Sequence, residues 1–358
     1  MKYSSFLFAA SAAAAALDMQ QGACKLPSPG SPQIRATAQR KFYSVGTYTL
    51  KGNPNGAAAA AGGSHSHGGS GGGMGGMMGE GDAQSFAASP SGSTFCGTCT
   101  VLAGQIKIFY PDGSPANVSN GIYVHHILTN GIGSQPAFVR SGLGGLSGAM
   151  GAGFVGAGDD NGNRPWVYAP KDGSFESGFQ IAPTTRFSAQ IVLVNYNKVP
   201  KTVCVAYDLE FIPGHVGKKV KSSLISAAGM TGPKVDRGRA VNTTSSPMAF
   251  SEPGYIILAK GHLHDGGSAM YMRISGKNSY SCVSRATYGH TVGGEGGQAT
   301  ISDMSDCNSK PWRIESGDSM TMTAEYDLKS HPLRGTASGG EAGVMGMFRI
   351  IFAPDKAW

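Results

Sequence analysis

From residue 97 to the C-terminus the chain consists of short apolar runs cut by turn residues. No stretch keeps an apolar residue at every third or fourth position long enough to make a helix. "QIKIFY" stops at "PDG" and "GIYVHHIL" stops at "TNG". "FSAQIVLVNY" passes through "NKVPK" into "TVCVAYDLEF", and "GYIILAK", "AMYMRI", "SMTMTAEYDL" and "GVMGMFRIIF" follow. Val, Ile, Tyr and Phe suit a pleated surface, while Gly, Pro, Asn and Asp suit the reversals between strands. The expected class is all-β. A polar, basic connector (residues 215–246) separates two such series, which are expected to form two antiparallel jelly-roll-like β-sandwich domains in tandem, 83–214 and 247–358.

Upstream the text changes character. Residues 1–16, "MKYSSFLFAASAAAAA", read as a signal peptide with a cut near Ala16; their apolar run is short of the roughly 20 residues that span a bilayer. No membrane span is expected later in the chain, and the mature protein is expected to be secreted and extracellular. Residues 17–55 form an N-terminal segment that joins the first domain. Residues 56–82 are nearly all Gly, Ala, Ser, His and Met, a composition that cannot bury a core and reads as a flexible loop. That loop carries His65, His67, Met74, Met77 and Met78, donors that suit copper, though low-complexity drift accounts for them as well.

The six cysteines (Cys24, Cys96, Cys99, Cys204, Cys282 and Cys307) fit an oxidising compartment, with up to three disulfides of open pairing. Cys96 and Cys99 make a CxxC, but no second CxxC completes a zinc site, so a structural disulfide is expected. Asn117-Val-Ser and Asn242-Thr-Thr are glycan sequons and should be at the surface. A net charge of +7 on a chain with only 14% charged residues is too dilute for a nucleic-acid footprint, and no nucleic-acid partner is expected. "GAGFVG" (151–156) matches GxGxxG, but "AGDDNGNRP" cannot open the helix that a dinucleotide site needs, so the stretch is expected to be a surface loop.

The chemistry concentrates in histidines. In "GHLHDGG" (261–267), His262 and His264 stand at i and i+2 of a strand and therefore share a face, with Leu263 turned to the core and Asp265, Gly266 and Gly267 reversing the chain. Met345 and Met347 in "GVMGMF" are again at i and i+2. Two imidazoles and a thioether form a soft, open donor set that favours copper over zinc or calcium. In "YVHHILTN", His125 and His126 are consecutive; a regular strand would split them between faces, so joint ligation requires a bulge or a strand end. Met320 and Met322 alternate within a strand and read as core. His215 reads as a connector residue, His290 as a Gly-rich turn residue and His331, before Pro332, as solvent-exposed.

HH in one domain, then HxH and a late Met in the next, resemble the copper type II, ascorbate-dependent monooxygenases, a superfamily that includes the peptidylglycine and dopamine hydroxylating enzymes. Within it, "GHLHDGG" and "GVMG" look like the nodulin-19-like proteins and related secreted fungal proteins. The resemblance implies one or two coppers per chain, dioxygen as oxidant, and ascorbate or a similar electron donor. His262, His264 and Met345 (or Met347) would form the oxygen-binding centre, with Asp265 orienting an imidazole, and His125 and His126 would begin a separate electron-transfer centre. Asn195 stands where the third histidine of that second centre is expected, so the centre is incomplete or is completed by His215, His290 or His331. Lys260 replaces the arginine that grips a peptide carboxylate in the amidating enzymes; as a substrate contact it is a point charge without a fork. Two readings follow: a copper-dependent monooxygenase acting on a small molecule, peptide or cell-wall component, or a non-catalytic extracellular copper-binding or wall-associated protein.

Overall fold

The computed structural model describes residues 24–53, 83–133, 135–140, 152–158, 164–229, 232–292, 298–334, 341 and 343–358. The signal-peptide reading and the Gly/His/Met-rich stretch lie outside these. The chain is all-β, and the only helical turn among the described residues is Val118–Asn120. No helix there is long and apolar enough to cross a membrane.

The described residues form four sheets. A six-stranded sheet runs in the order Gln39–Leu50, Lys201–Pro213, Cys99–Phe109, Ser177–Ile181, Lys218–Lys219, with Trp166–Val167 also on Cys99–Phe109. A four-stranded sheet runs Gln84–Ala88, Phe187–Asn195, Ile122–Gly131, Ala152–Ala157. Between them lies an aromatic core in which Phe95 meets Phe154, Phe187 and Tyr207 at centroid distances of 5.7, 5.3 and 5.2 Å. A second four-stranded sheet runs Lys221–Ser226, Gly346–Pro354, Gly254–Leu263, Trp312–Ile314. A seven-stranded sheet runs Gln298–Met304, Tyr280–Val292, Gly267–Ser275, Ser319–Tyr326, Met248–Phe250, Val139–Arg140, with Val241–Thr244 also on Ser319–Tyr326. These last two sheets enclose a methionine-rich core that holds Met270, Met272, Met304, Met320 and Met322, so Met320 and Met322 are core residues as expected. Pairing is antiparallel except where Lys218–Lys219 joins Ser177–Ile181 in parallel.

The sheet containing Gly254–Leu263 and Gly346–Pro354 is covered on both faces. One face closes the methionine-rich core, while Ile257, Leu258, Ile351 and Ala353 pack into the aromatic core of the preceding sheets. This double burial explains why Gly346–Pro354 is buried at every position, and why "MFRIIFA" reads as a nearly unbroken apolar run. The polar residues Lys260, His262 and Arg349 occupy the same strand pair, nearer the end where His264 leaves the sheet. The cysteines pair as Cys24–Cys204, Cys96–Cys99 and Cys282–Cys307, so the CxxC is a disulfide. Asn117 and Asn242 are exposed.

One expectation is overturned. Much of "GAGFVG" is not a surface loop: Ala152–Ala157 is a strand paired with Ile122–Gly131, and Phe154 and Val155 are fully buried. Gly156 serves close packing, because a Cβ there would stand 2.8 Å from Trp166 Cζ2. The dinucleotide reading remains excluded, since the next element among the described residues is the strand Trp166–Val167.

Candidate metal centre

The first histidine pair is shaped by an irregularity in its strand. Ile122–Gly131 pairs with Phe187–Asn195 so that Val124 faces Leu193 and His126 faces Val192, leaving His125 as an extra residue. Such a bulge is what two adjacent residues need to project toward one side. The His125 and His126 rings lie 4.2 Å apart between centroids, and both residues are buried.

The second pair comes from the doubly covered sheet. His262 is the cross-strand partner of Met347, and His264 lies just past the strand end. The turn beyond is tightly held. Gly266 has φ +95°, and a side chain there would strike Leu328 and Leu333. The Tyr288 hydroxyl accepts the Gly266 N–H and donates to the Gly267 carbonyl, both at 2.9 Å.

The two pairs meet. His126 Nε2 lies 3.3 Å from His262 Nε2 and 3.1 Å from His264 Nε2. The His125 ring lies 5.3 Å from that of His264, and donor atoms of His125, His126 and His264 all fall within 4.8 Å of one another. His125 and His126, expected to begin a separate centre, thus stand against His262 and His264 in a single cluster. His264 Nδ1 is 2.6 Å from the Gly343 carbonyl, to which it must donate, so its Nε2 presents a lone pair to the cluster. A neutral His126 Nε2 carries either one proton or one lone pair, and cannot satisfy both neighbours as hydrogen-bond partners. A cation can. Imidazole nitrogens bind a transition metal at about 2.0–2.1 Å, which separates neighbouring nitrogens of a tetrahedral set by roughly 3.3 Å. The donor set therefore fits a metal such as copper, for which imidazole is a favoured ligand.

Burial, and then the charges of His264 and His262, hold His125 down from its ordinary 6.5 to about 3. Burial, followed by His125, His264 and His262, holds His126 well below the same value. Both rings are therefore neutral at physiological pH, the form a metal requires. Folded-state values below the unfolded ones mean that the unfolded chain takes up protons first, so this contribution to stability is lost as pH falls. The metal-free protein should weaken progressively as pH falls below about 6.5, toward the value near 3 at which His125 itself takes up a proton. Denaturant midpoints of chelator-treated protein across that range test this; a flat profile contradicts it.

The other residues singled out from the sequence are distributed as follows. Met347 shares a face with His262, and Met345 is fixed by Tyr326, whose hydroxyl donates to its carbonyl (2.7 Å) and accepts its N–H (3.0 Å). Asn195 lies opposite Ile122, three residues along the strand (about 10 Å) from the residue facing His126. Its amide donates to the Lys51 and Val199 carbonyls and accepts from Asn197, an anchoring role in the chain. Lys260 Nζ is 2.9 Å from Asp303 Oδ1, and Asp303 in turn meets Arg164. Asp265 Oδ1 accepts the Ile301 N–H, and its Oδ2 faces Arg334 at 3.8 Å. His215 Nε2 donates to the Ile181 carbonyl. His290 sits in a strand opposite Thr300. His331 is not simply exposed, because its ring stacks on Tyr288 at 3.8 Å. Gly343, Tyr288 and Arg334 escaped the sequence reading, since nothing in their local text marks them as neighbours of a histidine cluster.

Sequence comparisons agree with this chemistry. The family described as stress up-regulated Nod 19 matches residues 206–355, a span that includes His262, His264, Met345 and Met347. A Phoma sp. protein named "probable copper-dependent oxygenase" is 21% identical over 257 residues, 70% of this chain and 63% of that protein. A Cochliobolus lunatus protein of the same description is 22% identical over 243 residues, 66% of this chain and 74% of that protein. The chain thus matches less than two thirds of the Phoma protein's length. These matches bear out the similarity expected from the histidine motifs, to nodulin-19-like and copper monooxygenase-like proteins.

Proposed function

We propose that this nodulin-19-like, copper oxygenase-like chain is an extracellular mononuclear-copper protein. In this reading it oxidises a small molecule, peptide or wall component with dioxygen and an external reductant such as ascorbate. The observation that carries the reading is the approach of His126 to His262 and His264 at 3.3 and 3.1 Å, which brings the two histidine pairs together, with donor atoms of His125, His126 and His264 all within 4.8 Å of one another. Three paired disulfides accord with an extracellular setting.

Bound copper would supply a one-electron couple and a place for dioxygen to react. The residues around it divide the remaining work. His125 and His126 form a dry, neutral floor. His262 and His264, partly exposed, give the cluster a side open to solvent where substrate would approach. The Gly343 carbonyl fixes the His264 ring, and Met347 offers a thioether from the facing strand. Lys260, held by Asp303, braces its strand and is not assigned to the substrate. The relatives' printed names support the copper and oxygenase elements of the proposal, while the substrate class, reductant and secretion rest on the sequence reading.

Metal analysis of purified protein should give about one copper per chain; a value near two would overturn a single centre. With copper and ascorbate the protein should consume dioxygen faster than free copper at equal concentration, and His262→Ala should abolish the excess. One bound copper without such consumption would instead favour a non-catalytic copper-binding protein.

A further inference from the structure

A buried cation stands beside the histidine cluster without belonging to it. The Arg334 side chain is 1% exposed and its Nε lies 3.8 Å from Asp265 Oδ2, itself 4% exposed. Its Nη1 donates to the Tyr196 hydroxyl, and its guanidinium lies 4.7 Å from the centroid of the Tyr123 ring. Two of these partners lead back to the centre: Asp265 directly follows His264, and the Tyr123 ring is 6.3 Å from that of His125. The pair therefore spans the junction between the two histidine strands. Burial draws Arg334 down to about 10, which leaves it charged at neutral pH. A buried ion pair is seldom the most stable filling for such a space, and a well-packed apolar pair would often do as well or better. The arrangement calls for a role other than packing.

We propose that the Arg334–Asp265 pair sets the preference of the copper centre between its two oxidation states. This rests on the copper reading above. A positive charge nearby penalises Cu(II) more than Cu(I), and a negative charge does the reverse. Arg334 thus pushes the centre toward Cu(I), Asp265 pulls it toward Cu(II), and their balance fixes the potential. Lys260 on Asp303 and Arg349 over Trp166 contribute a constant background that the test leaves intact. Both members act through the field and through the His264 turn, as positioning residues that do not touch the metal.

The test uses the full-length protein with Arg334→Met, Asp265→Asn and the double variant. Copper content is measured first, then Cu(I) and Cu(II) dissociation constants by competition with chelators, and the midpoint potential. For a unit charge on the order of 10 Å away in an effective dielectric of about 20, the affinity ratio should move roughly tenfold. Arg334→Met should lower the Cu(I)-to-Cu(II) affinity ratio, Asp265→Asn should raise it, and the double variant should return near the parent. A purely structural role would not give opposite signs that cancel. With copper bound, shifts of the same sign, or no shift, overturn the proposal alone. A parent protein that binds no copper overturns the copper reading, and this proposal with it. If Arg334→Met does not fold, Asp265→Asn decides the matter, since its amide oxygen can still accept the Ile301 N–H. A raised ratio supports the proposal; an unchanged or lowered ratio overturns it.

Discussion

Replacing His126 with alanine is expected to strip the chain of its copper. His126 Nε2 is the atom that approaches both His262 and His264, at 3.3 and 3.1 Å, so its loss removes the link between the two pairs. Copper content should fall from about one per chain to less than a tenth, and affinity by at least about a thousandfold, a loss of some 4 kcal/mol. The metal-free variant should nevertheless fold, because a neutral imidazole leaves a modest cavity and no stranded charge. Circular dichroism and metal analysis on the same sample separate the two effects. Stoichiometric copper in a folded His126→Ala protein would refute the convergent centre.

Trp166→Ala should have the largest effect on stability, about 3–5 kcal/mol by chemical denaturation. The ring is buried, lies against the bare backbone of Gly156 and stacks its face on Arg349 at 3.5 Å. Truncation opens a cavity and also removes a desolvated cation–π contact, worth about 2 kcal/mol in such settings. Arg349 is opposite Lys260 and two residues from Met347, on the strand facing the HxH strand. Loosening it should weaken copper binding as well, by a smaller factor than the loss of a ligand. A stability loss below about 1 kcal/mol would show that this contact does not hold the two sheet pairs together.

The all-β class was legible because alternation and turn chemistry are local properties. The side-by-side projection of His262 and His264 followed from strand geometry alone. The condition on His125 and His126, that a bulge is needed to send both rings one way, was also legible; the bulge itself depends on the partner strand at Leu193 and Val192. The meeting of the two histidine pairs was not. His126 and His262 are separated by 136 residues, and their approach follows from a sheet buried on both faces, which no local pattern encodes. "GAGFVG" was misread for a related reason: glycine disfavours an isolated strand, yet here its missing side chain admits the Trp166 ring. Arg334, in "HPLRG", looks like an ordinary loop cation until the fold places it over Tyr123.

The single supernumerary residue at His125 makes metal chemistry and sandwich architecture separable inheritances. Losing one codon there would let Val124 and the following residues close into a regular ladder, with one imidazole gone and the sheet's alternation intact. A single in-frame deletion there would remove one donor from the proposed centre and spare the scaffold, so a descendant could weaken its metal site while still folding.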